Sequence, residues 1–467
     1  MIELDPINIS GRDVLPLVEG GKGIGVSDGV SAGSWANAGG VGTFSGVFCA
    51  LRDATGRLVP FETKGKTRAE RQTDLIDYAI KGAVQQAQIA HETAAGSGRI
   101  HMNLLWELGG AERILEEVLE KARGLIHGVT CGAGMPYRLS EIGSRFNVHV
   151  YPIVSSARVF NALWRRAYRH FADWLGAVVY EDPWLAGGHN GFSNADDPNR
   201  PEPAIDRVRA LRQVMNGVGL HSKPIIVAGG VWRLDEWADW IDNPELGPIA
   251  FQFGTRPMLT RESPIPDSWK QRLLDLKPGC VHINRFSPTG FPSSAVKNDF
   301  LRELVARSER QISYRNTAEN DFAERLDLSD DGHRHVFVSA EDARRAIAWK
   351  EDGNTVALKT PDDTLIFVTQ VAAKKIARDR ADCVGCLSGC LFSSWMQSTP
   401  DHGTGRRPDP RSFCIRKTLD NVVKTGDVDH ELVFAGHCVH RFSSDPFYAN
   451  RFIPTVKQLI EQIKTGK

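Results

Sequence analysis

The sequence predicts an α/β protein whose main domain is a (β/α)8 TIM barrel, followed by a C-terminal α+β extension that carries a cysteine cluster. Three observations support this fold class. Short apolar segments alternate with polar, periodic segments over about the first 255 residues. Glycine-rich turns follow several of the apolar segments. The pattern then changes, and five of the eight cysteines fall in the last fifth of the chain.

Eight short apolar segments read as buried strands, because each is bounded by glycine, proline or polar turn residues. The predicted strands cover residues 23–28, 41–46, 99–106, 124–136 with a glycine-rich loop, 149–154, 177–181, 224–231 and 248–256. The segments between them have the spacing of amphipathic helices. The predicted helices cover residues 31–40, 67–93, 111–122, 137–146, 157–175, 203–216 and 234–241.

Alternation of strands and helices fits both a barrel and a doubly wound sheet. Glycine-rich turns after several strands, including the last two, favour the barrel, since barrels commonly bind phosphate after strands seven and eight. Beyond the barrel, residues 263–292 read as proline-rich and irregular, 297–308 and 340–349 as helices, and 355–360 with 364–369 as a hairpin. We expect a barrel domain over residues 1–305, a connecting α+β segment over 306–380 and a cysteine module over 381–467.

Composition excludes several classes of function. Lysine plus arginine equals aspartate plus glutamate at 57 each, so charge gives no indication of nucleic-acid or membrane binding. The N-terminal residues lack the basic start and apolar core of a secretory signal. Apolar runs stay below the ~18 residues that a membrane span requires. We therefore expect a cytoplasmic protein with neither nucleic acid nor membrane as a partner.

The sequence LAGGHNG follows the predicted sixth strand and presents one histidine, His189, after Gly187 and Gly188. Paired glycines let backbone approach a flat ligand closely. Histidine exchanges protons near neutral pH. This stretch therefore predicts an imidazole beside a bound cofactor, against the alternative of a solvated histidine in a turn.

An anion site is predicted where AGGV ends the seventh strand and FGTR ends the eighth. Backbone N–H groups at Gly229, Gly230 and Gly254 can bind a phosphate, and Arg256 can add positive charge. A second nucleotide-binding turn of the G-x-G-x-x-G type opening a βαβ unit is missing from the sequence. One phosphate, as in FMN, fits this pattern better than two.

Cys383, Cys386 and Cys390 form a Cys-x2-Cys-x3-Cys run, with Cys414 following. Such a run with a distant fourth cysteine suits a [4Fe-4S] cluster, because three thiolates on one loop hold three irons. A zinc site normally shows two CxxC pairs, and unligated thiols are the third alternative. Cys438, between His437 and His440, competes with Cys414 for the fourth position.

The motifs SAGSWANAGGVGTFSG, AGGHNG, VAGGV, FGTR and SPTGFPSSAVKN occur in the order seen in the nitronate monooxygenase family, which includes flavin-dependent enoyl-acyl-carrier-protein reductases. The sequence resembles this family over about residues 20–305. The resemblance implies a (β/α)8 barrel that binds FMN, with His189 as catalytic base. We expect the neighbouring Asn190 to orient rather than to transfer protons. The cofactor residues that it implies are Ser27, Asp28, Gly29, Asn103 and Cys131 around the ring, and Gly229, Gly230, Gly254 and Thr255 around the phosphate.

The cysteine run ADCVGCLSGCLF also resembles the cluster loop of old-yellow-enzyme relatives that pair FMN with [4Fe-4S], such as dienoyl-CoA reductase.

These resemblances and the residues behind them lead to three alternative functions. The first is an FMN-dependent monooxygenase in which His189 removes a C–H proton. The second is an enoyl- or dienoyl-type reductase fed by NAD(P)H or an electron-transfer protein. The third is a non-catalytic redox sensor. The expected substrate is a small molecule or an acyl thioester, and a homodimer is compatible with the sequence.

Overall fold

Eight short apolar strands form a closed parallel barrel in the computed structural model, which describes residues 4–189, 191–193, 196–329 and 331–466. The barrel closes where Phe251 of the last strand pairs with Leu17 of the first. The predicted (β/α)8 fold is confirmed. The barrel strands are β1 (Leu17–Glu19), β2 (Val41–Ser45), β3 (Arg99–Leu105), β4 (Gly128–Gly132), β5 (His149–Val154), β6 (Val178–Glu181), β7 (Ile225–Ala228) and β8 (Ile249–Phe253).

The prediction of a first strand over residues 23–28 was wrong. Residues 23–28 form turns, because Gly23 and Gly25 have φ of +92° and +68°, a conformation that a strand cannot contain. The barrel instead begins at β1, whose three residues are too short a run to produce a recognisable apolar pattern. The first barrel strand therefore ends at Glu19, immediately before the glycines that follow it.

Helices cover the outside of the barrel and begin at recognisable capping residues. Thr67 forms a capping box with Glu70 at the start of α2 (Arg68–Ala94), and the Asp28 side chain accepts the N–H of Ser31 at the start of α1 (Gly29–Asn37). The predicted helix over 157–175 is interrupted at Ala167, and 234–241 is a 3-10 helix, Leu234–Trp240. The helices of the barrel region are α1 (Gly29–Asn37), α2 (Arg68–Ala94), α3 (Ala111–Lys121), α4 (Leu139–Phe146), α5 (Ala157–Arg166) and α6 (Ala204–Gly217).

The lower, amino-terminal end of the barrel is filled by packed side chains. The hairpin formed by Ile7–Ile9 and Arg12–Val14 covers this end and joins a cluster with Tyr151, Val179 and Ile226. The Ser10 hydroxyl bonds the Tyr151 hydroxyl at 2.7 Å and His101 Nε2 at 3.0 Å. Because this end is closed, ligands reach the barrel only from the opposite end of the described structure.

After β8, the described residues add small antiparallel sheets and six α-helices to the barrel. Residues 263–292, expected to be irregular, contain helix Asp267–Leu274 and strand Val281–Asn284. The predicted hairpin over 355–369 is present as Val356–Lys359 and Thr364–Val368. The remaining helices are α7 (Asp267–Leu274), α8 (Asp299–Glu309), α9 (Ala340–Glu351), α10 (Gln370–Ala381), α11 (Ile415–Thr425) and α12 (Val456–Thr465).

Different parts of this addition pack into different hydrophobic cores. Side chains from 312–367, including Ile312, Val338 and Phe367, form a small cluster of their own. After residue 380, Trp395 and Ile460 belong instead to the large core shared with the barrel helices, whereas Val433 and Tyr448 join a separate cluster with Trp269. The division into residues 1–305, 306–380 and 381–467 stays a prediction. The described part of the chain has no helix that is both long and apolar enough to cross a bilayer.

Candidate active site

A cavity of about 170 Å³ opens at the carboxyl ends of the barrel strands, where barrels of this type carry their sites. Its floor consists of the last inward-facing residues of the strands, and its walls are the loops that follow them. Predicted site residues that line it are Asn103, Gly187, Gly188, His189, Gly229, Gly230, Gly254 and Thr255. Lining residues that the sequence did not point to include Lys22, Glu181, Gln252, Phe434 and Ala435, and Cys438, expected as a possible metal ligand, lines it too.

Glycines bring backbone close to neighbouring groups around this cavity. A Cβ at Gly21 would lie 2.4 Å from the Asn103 side chain. A Cβ at Gly187 would lie 2.5 Å from the carbonyl carbon of Ala435 and 2.6 Å from the amide nitrogen of Gly436. Contacts this short exclude any side chain, so the wall formed by residues 187–188 and 434–436 requires glycine at position 187.

One end of the cavity has the properties of an anion site. Gly229 and Gly230 follow β7 with φ of +94° and +80°, and a Cβ at Gly254, which follows β8, would meet nothing within 4 Å. The N–H groups of Gly230 and Gly254 donate to no backbone carbonyl of the described residues. Amides oriented in this way bind phosphate, which fits the predicted phosphate position.

His189 lies on a two-residue strand, Gly188–His189, that pairs antiparallel with Ser294 and Ser293. Its Nε2 is 3.1 Å from the Ser287 hydroxyl, and its ring meets Phe434 edge to face at 5.5 Å between centroids. Burial lowers the pKa of His189 to about 4. The imidazole is therefore neutral at neutral pH and has a lone pair available to accept a proton. Asn190 lies outside the described residues.

Three polar side chains form the floor of the cavity: Asn103, Glu181 and Gln252. The described residues provide no hydrogen-bond partner for these side chains, so their donors and acceptors are available to a ligand. Burial, with Asp182 next along the chain, raises the pKa of Glu181 to about 8. A polar residue at the last position of an otherwise apolar strand, as in VVYE, was the signal that could have identified Glu181.

Ser27, Asp28 and Gly29, which were expected around a flavin ring, do not line the cavity. The Ser27 hydroxyl accepts the N–H of Lys22 at 2.8 Å. Asp28 caps α1, and the Gly29 N–H donates to Gln86 on α2 at 2.7 Å. The expectation followed from the misplaced first strand. In the structure, residues 20–24 occupy the corresponding part of the cavity wall.

Cys131 and Arg256 also point away from the cavity. The Cys131 side chain is fully buried in the core between barrel and helices. The Arg256 guanidinium donates to the Trp232 carbonyl at 2.7 Å, to Gln462 Oε1 at 2.7 Å and to the Tyr448 hydroxyl at 3.1 Å. Since its donors are directed at these groups, Arg256 attaches the C-terminal helix rather than adding charge to the anion site.

A second, smaller cavity is lined by Cys383, Cys386, Cys390 and Cys414 together. Cys386, Ile415 and Arg416 line both this cavity and the main one. Burial raises the pKa of Cys386, and the other three cysteines raise it further through charge repulsion. The four thiols expected to act together are thus neighbours at the edge of the main cavity.

Within the described ranges, no three His, Cys, Asp or Glu side chains are arranged so that they could hold a single metal ion. Cys438 lies apart from the other cysteines, with its Sγ 3.7 Å from the Gly230 carbonyl oxygen at the anion end of the main cavity. Of the two candidates for a fourth ligand, Cys414 is the one beside Cys383, Cys386 and Cys390.

A sequence model of the nitronate monooxygenase family matches residues 12–377, which is more than three quarters of the chain. The chain belongs to this family. It is therefore an oxidoreductase, which sets aside the non-catalytic alternative, and membership supports FMN as cofactor. The matched region extends beyond the expected limit near residue 305 and ends before the cysteine run. None of the curated proteins compared matches the chain.

Solved structures resemble the chain at low identity. The enoyl reductase domain of MlnA from Bacillus amyloliquefaciens has a TM-score of 0.51 and 13% identity over 96% of this chain and 93% of that one. FabK from Thermotoga maritima has a TM-score of 0.49 and 15% identity over 96% and 91%. Nitroalkane oxidase from Streptomyces ansochromogenes has a TM-score of 0.44 and 17% identity over 64% and 79%. At 13% identity, the likeness to the MlnA domain supports the fold of this chain and nothing more.

Proposed function

We propose that the protein is an FMN-dependent oxidoreductase that binds the flavin in the main cavity and uses His189 as its acid–base group. The observation that carries the proposal is that one cavity joins an anion-binding end, a floor of unpartnered polar side chains and a half-buried histidine. Gly229, Gly230, Gly254 and Thr255 would hold the phosphate, and Asn103 and Gln252 would contact the ring. Bound FMN supplies two-electron redox chemistry that side chains lack.

His189 is suited to proton transfer by its neutral state and its fixed position. The Ser287 hydroxyl, 3.1 Å from Nε2, orients the imidazole, and the contact with Phe434 limits access of water to the ring. A neutral imidazole can accept the proton of an acidic C–H group in a bound substrate. This role corresponds to the monooxygenase chemistry for which the family is named.

We also propose a [4Fe-4S] cluster held by Cys383, Cys386, Cys390 and Cys414. In a cubane each thiolate binds a different iron, so the four sulfurs surround a larger group than one ion. A zinc site would bring its four ligands around a single point and normally shows two CxxC pairs, whereas this chain has one such pair followed by a third cysteine. The side chain of Arg416 and the ion-paired Lys417 line the cysteine cavity and would offset thiolate charge.

A reductase acting on an activated alkene is the second candidate, and the shared wall between the cavities favours it. Because Cys386 lines both cavities, a cluster there would adjoin the flavin and could relay single electrons. Simple nitronate oxidation has no need of such a relay. In this candidate the electron donor is NAD(P)H or an electron-transfer protein.

Analysis of protein purified without oxygen tests these proposals. Mass spectrometry of the released cofactor should identify FMN, and iron and acid-labile sulfide should be present in near-equal amounts. FAD, or no flavin in folded protein, contradicts the flavin assignment, and stoichiometric zinc contradicts the cluster. Anaerobic bleaching of the flavin by a nitronate supports the monooxygenase, whereas bleaching by NAD(P)H or a reduced electron-transfer protein supports the reductase.

A further inference from the structure

One wall of the main cavity is apolar, and helix α11 forms part of it. Ile415 and Leu419 are four residues apart on α11, so their side chains share one face of the helix, and both line the cavity. The other apolar residues of this wall follow the neighbouring strands β1, β2 and β3 or pair with the loop after β3. They are Ile24, Val47, Phe48, Leu105, Leu108 and Leu387.

Close packing fixes this wall in place. A Cβ at Gly25 would lie 2.8 Å from Val423 Cγ2, so α11 lies directly against the loop after β1. Leu387 forms an antiparallel bridge with Leu108, which holds the segment after the first cysteines against the loop after β3. Elements from both ends of the chain therefore make one continuous surface.

The apolar wall lies above the floor of the cavity. Asn103 of β3 is at the floor, and β3 continues to Leu105, which is about 7 Å farther along the strand. In the proposed function the flavin ring lies at the floor beside Asn103 and Gln252. The apolar wall then borders the space above the ring. In the order of the barrel strands, β2 lies opposite β6, whose following loop carries His189.

The two cations that line this part of the cavity already have partners. Lys22 forms an ion pair with Glu19 at 2.6 Å. The Arg416 guanidinium lies 4.6 Å from the centre of the Phe61 ring and 3.9 Å from the Asp420 carboxylate. Neither cation therefore presents an unpaired charge to the space in front of α11, and an apolar group suits this space better than an anionic one.

We propose that α11 closes a subsite for the hydrocarbon chain of the substrate and that Leu419 limits the length of this chain. The inference rests on the proposed function, since it requires FMN at the cavity floor. The family match ends at residue 377, so α11 belongs to the part of the chain beyond it. A hydrocarbon chain gains free energy from this wall because each buried methylene group is removed from water.

The test measures binding of straight-chain primary alcohols, from butanol to octanol, to the FMN-loaded protein. These alcohols need no reaction with the flavin, so binding is measured apart from activity. Calorimetry gives the affinity, and the visible difference spectrum of the flavin shows whether the alcohol lies beside the ring. Affinity should rise about fourfold for each added methylene until the chain reaches α11.

Two substitutions at Leu419 change the length limit in opposite directions. Leu419→Trp fills the end of the subsite, so octanol should bind about fourfold or more weakly than in the wild type, while butanol binds equally. Leu419→Ala opens the end and should let affinity rise over a longer series. Leu391→Trp is the control, because Leu391 is 42% exposed and does not line the cavity, and its series should match the wild type.

Reactive compounds distinguish the two sources of such a chain, an alkyl nitronate and an enoyl thioester. Nitronates of increasing chain length are tested by anaerobic bleaching of the flavin, and enoyl thioesters by reoxidation of chemically reduced flavin. For the class that reacts, Leu419→Trp should lower kcat/KM for long chains and leave it unchanged for the shortest.

The outcomes separate this inference from the proposed function. Folded protein that neither contains nor binds FMN contradicts the flavin proposal itself. The role of α11 is overturned if FMN-loaded wild type binds all the alcohols equally or binds none. It is also overturned if the wild type and both Leu419 variants give the same series. In each of these cases the flavin proposal still stands.

Discussion

His189 is held by one hydroxyl and one aromatic ring in a site where burial keeps the imidazole neutral. A positioned acid or base contributes about 10²–10⁴-fold in rate. We expect His189→Ala to lose a factor in this range in substrate-dependent flavin reduction while it retains FMN. Stopped-flow absorption with the true substrate measures the loss.

Ser287→Ala is the matched variant for that prediction. It removes the hydroxyl that orients the imidazole but leaves the base in place, so its rate should fall less than that of His189→Ala. Wild-type turnover by flavin-loaded His189→Ala would show that another group transfers the proton. An equal loss in both variants would mean that orientation, rather than proton transfer, limits the reaction.

At the residue scale, sequence predicted those positions at the cavity that depend on local pattern. The glycines around His189 and the turns after β7 and β8 line the cavity because their spacing along the chain suffices to position them. Cys131 was placed wrongly because successive strand residues face opposite sides, and a shift of one position exchanges cavity for core. Glu181 and Gln252 were missed because their position at the same level of the barrel depends on the register across three strands.

The glycine loop, residues 185–189, and the segment 434–436 are in contact so close that no side chain fits between them. Gly187→Ala places a methyl group 2.5 Å from the Ala435 backbone. Overpacking of this kind costs about 1–3 kcal/mol, so we expect a lower free energy of unfolding and weaker FMN binding. Denaturant titration and flavin fluorescence measure the two effects.

Gly217→Ala serves as the control, because a Cβ there meets nothing within 4 Å at the end of α6. This variant should keep FMN affinity and gain up to about 1 kcal/mol of stability. Unchanged FMN affinity in Gly187→Ala would contradict the close approach of the two segments.

The cysteine cavity makes a prediction about metal content. Cys386→Ala should lose iron and sulfide but keep FMN, because the anion end of the main cavity lies on β7 and β8. Cys414→Ala should behave in the same way, whereas Cys438→Ala should keep its iron, since this thiol lies beside Gly230. Iron analysis of the three variants decides the fourth ligand, and unchanged iron in Cys386→Ala would disprove the cluster assignment.

Strands and helices with an apolar pattern of their own could be predicted from the sequence. Strands that form only because they pair with a distant segment could not. Seven of the eight barrel strands were placed close to their observed positions, because buried parallel strands are short apolar runs. The strands Gly188–His189 and Ser293–Val296 have no such period. They exist because the glycine loop pairs with a hairpin about a hundred residues later in the chain.

The molecule as a whole buries histidines whose pKa values fall below their values in the unfolded chain. Burial lowers the pKa of His127 and of His189 to about 4. Protonation therefore favours the unfolded chain, and stability present above about pH 6.5 falls as pH decreases toward 4. Protonation of each of these two histidines should lower the free energy of unfolding by about 1–3 kcal/mol between pH 7 and pH 5.

Denaturant titrations at the two pH values measure that loss. His127→Asn should reduce it, because the amide oxygen can accept the Ile100 N–H that Nδ1 now accepts at 3.0 Å and does not titrate. The same loss of stability in this variant as in the wild type would contradict the assignment to His127.

The wall of the main cavity includes residues that the ribosome adds long after the barrel strands. The Gly436 N–H donates to the Thr255 hydroxyl at 3.0 Å, and Phe434 bridges to Ala295 beside the glycine loop. During synthesis the eight strands leave the ribosome before these residues exist. A nascent chain with a complete barrel therefore still has an open gap beside the anion end, and the finished pocket can form only when translation has passed Cys438. Stable loading of the flavin would then follow synthesis of the chain rather than accompany it.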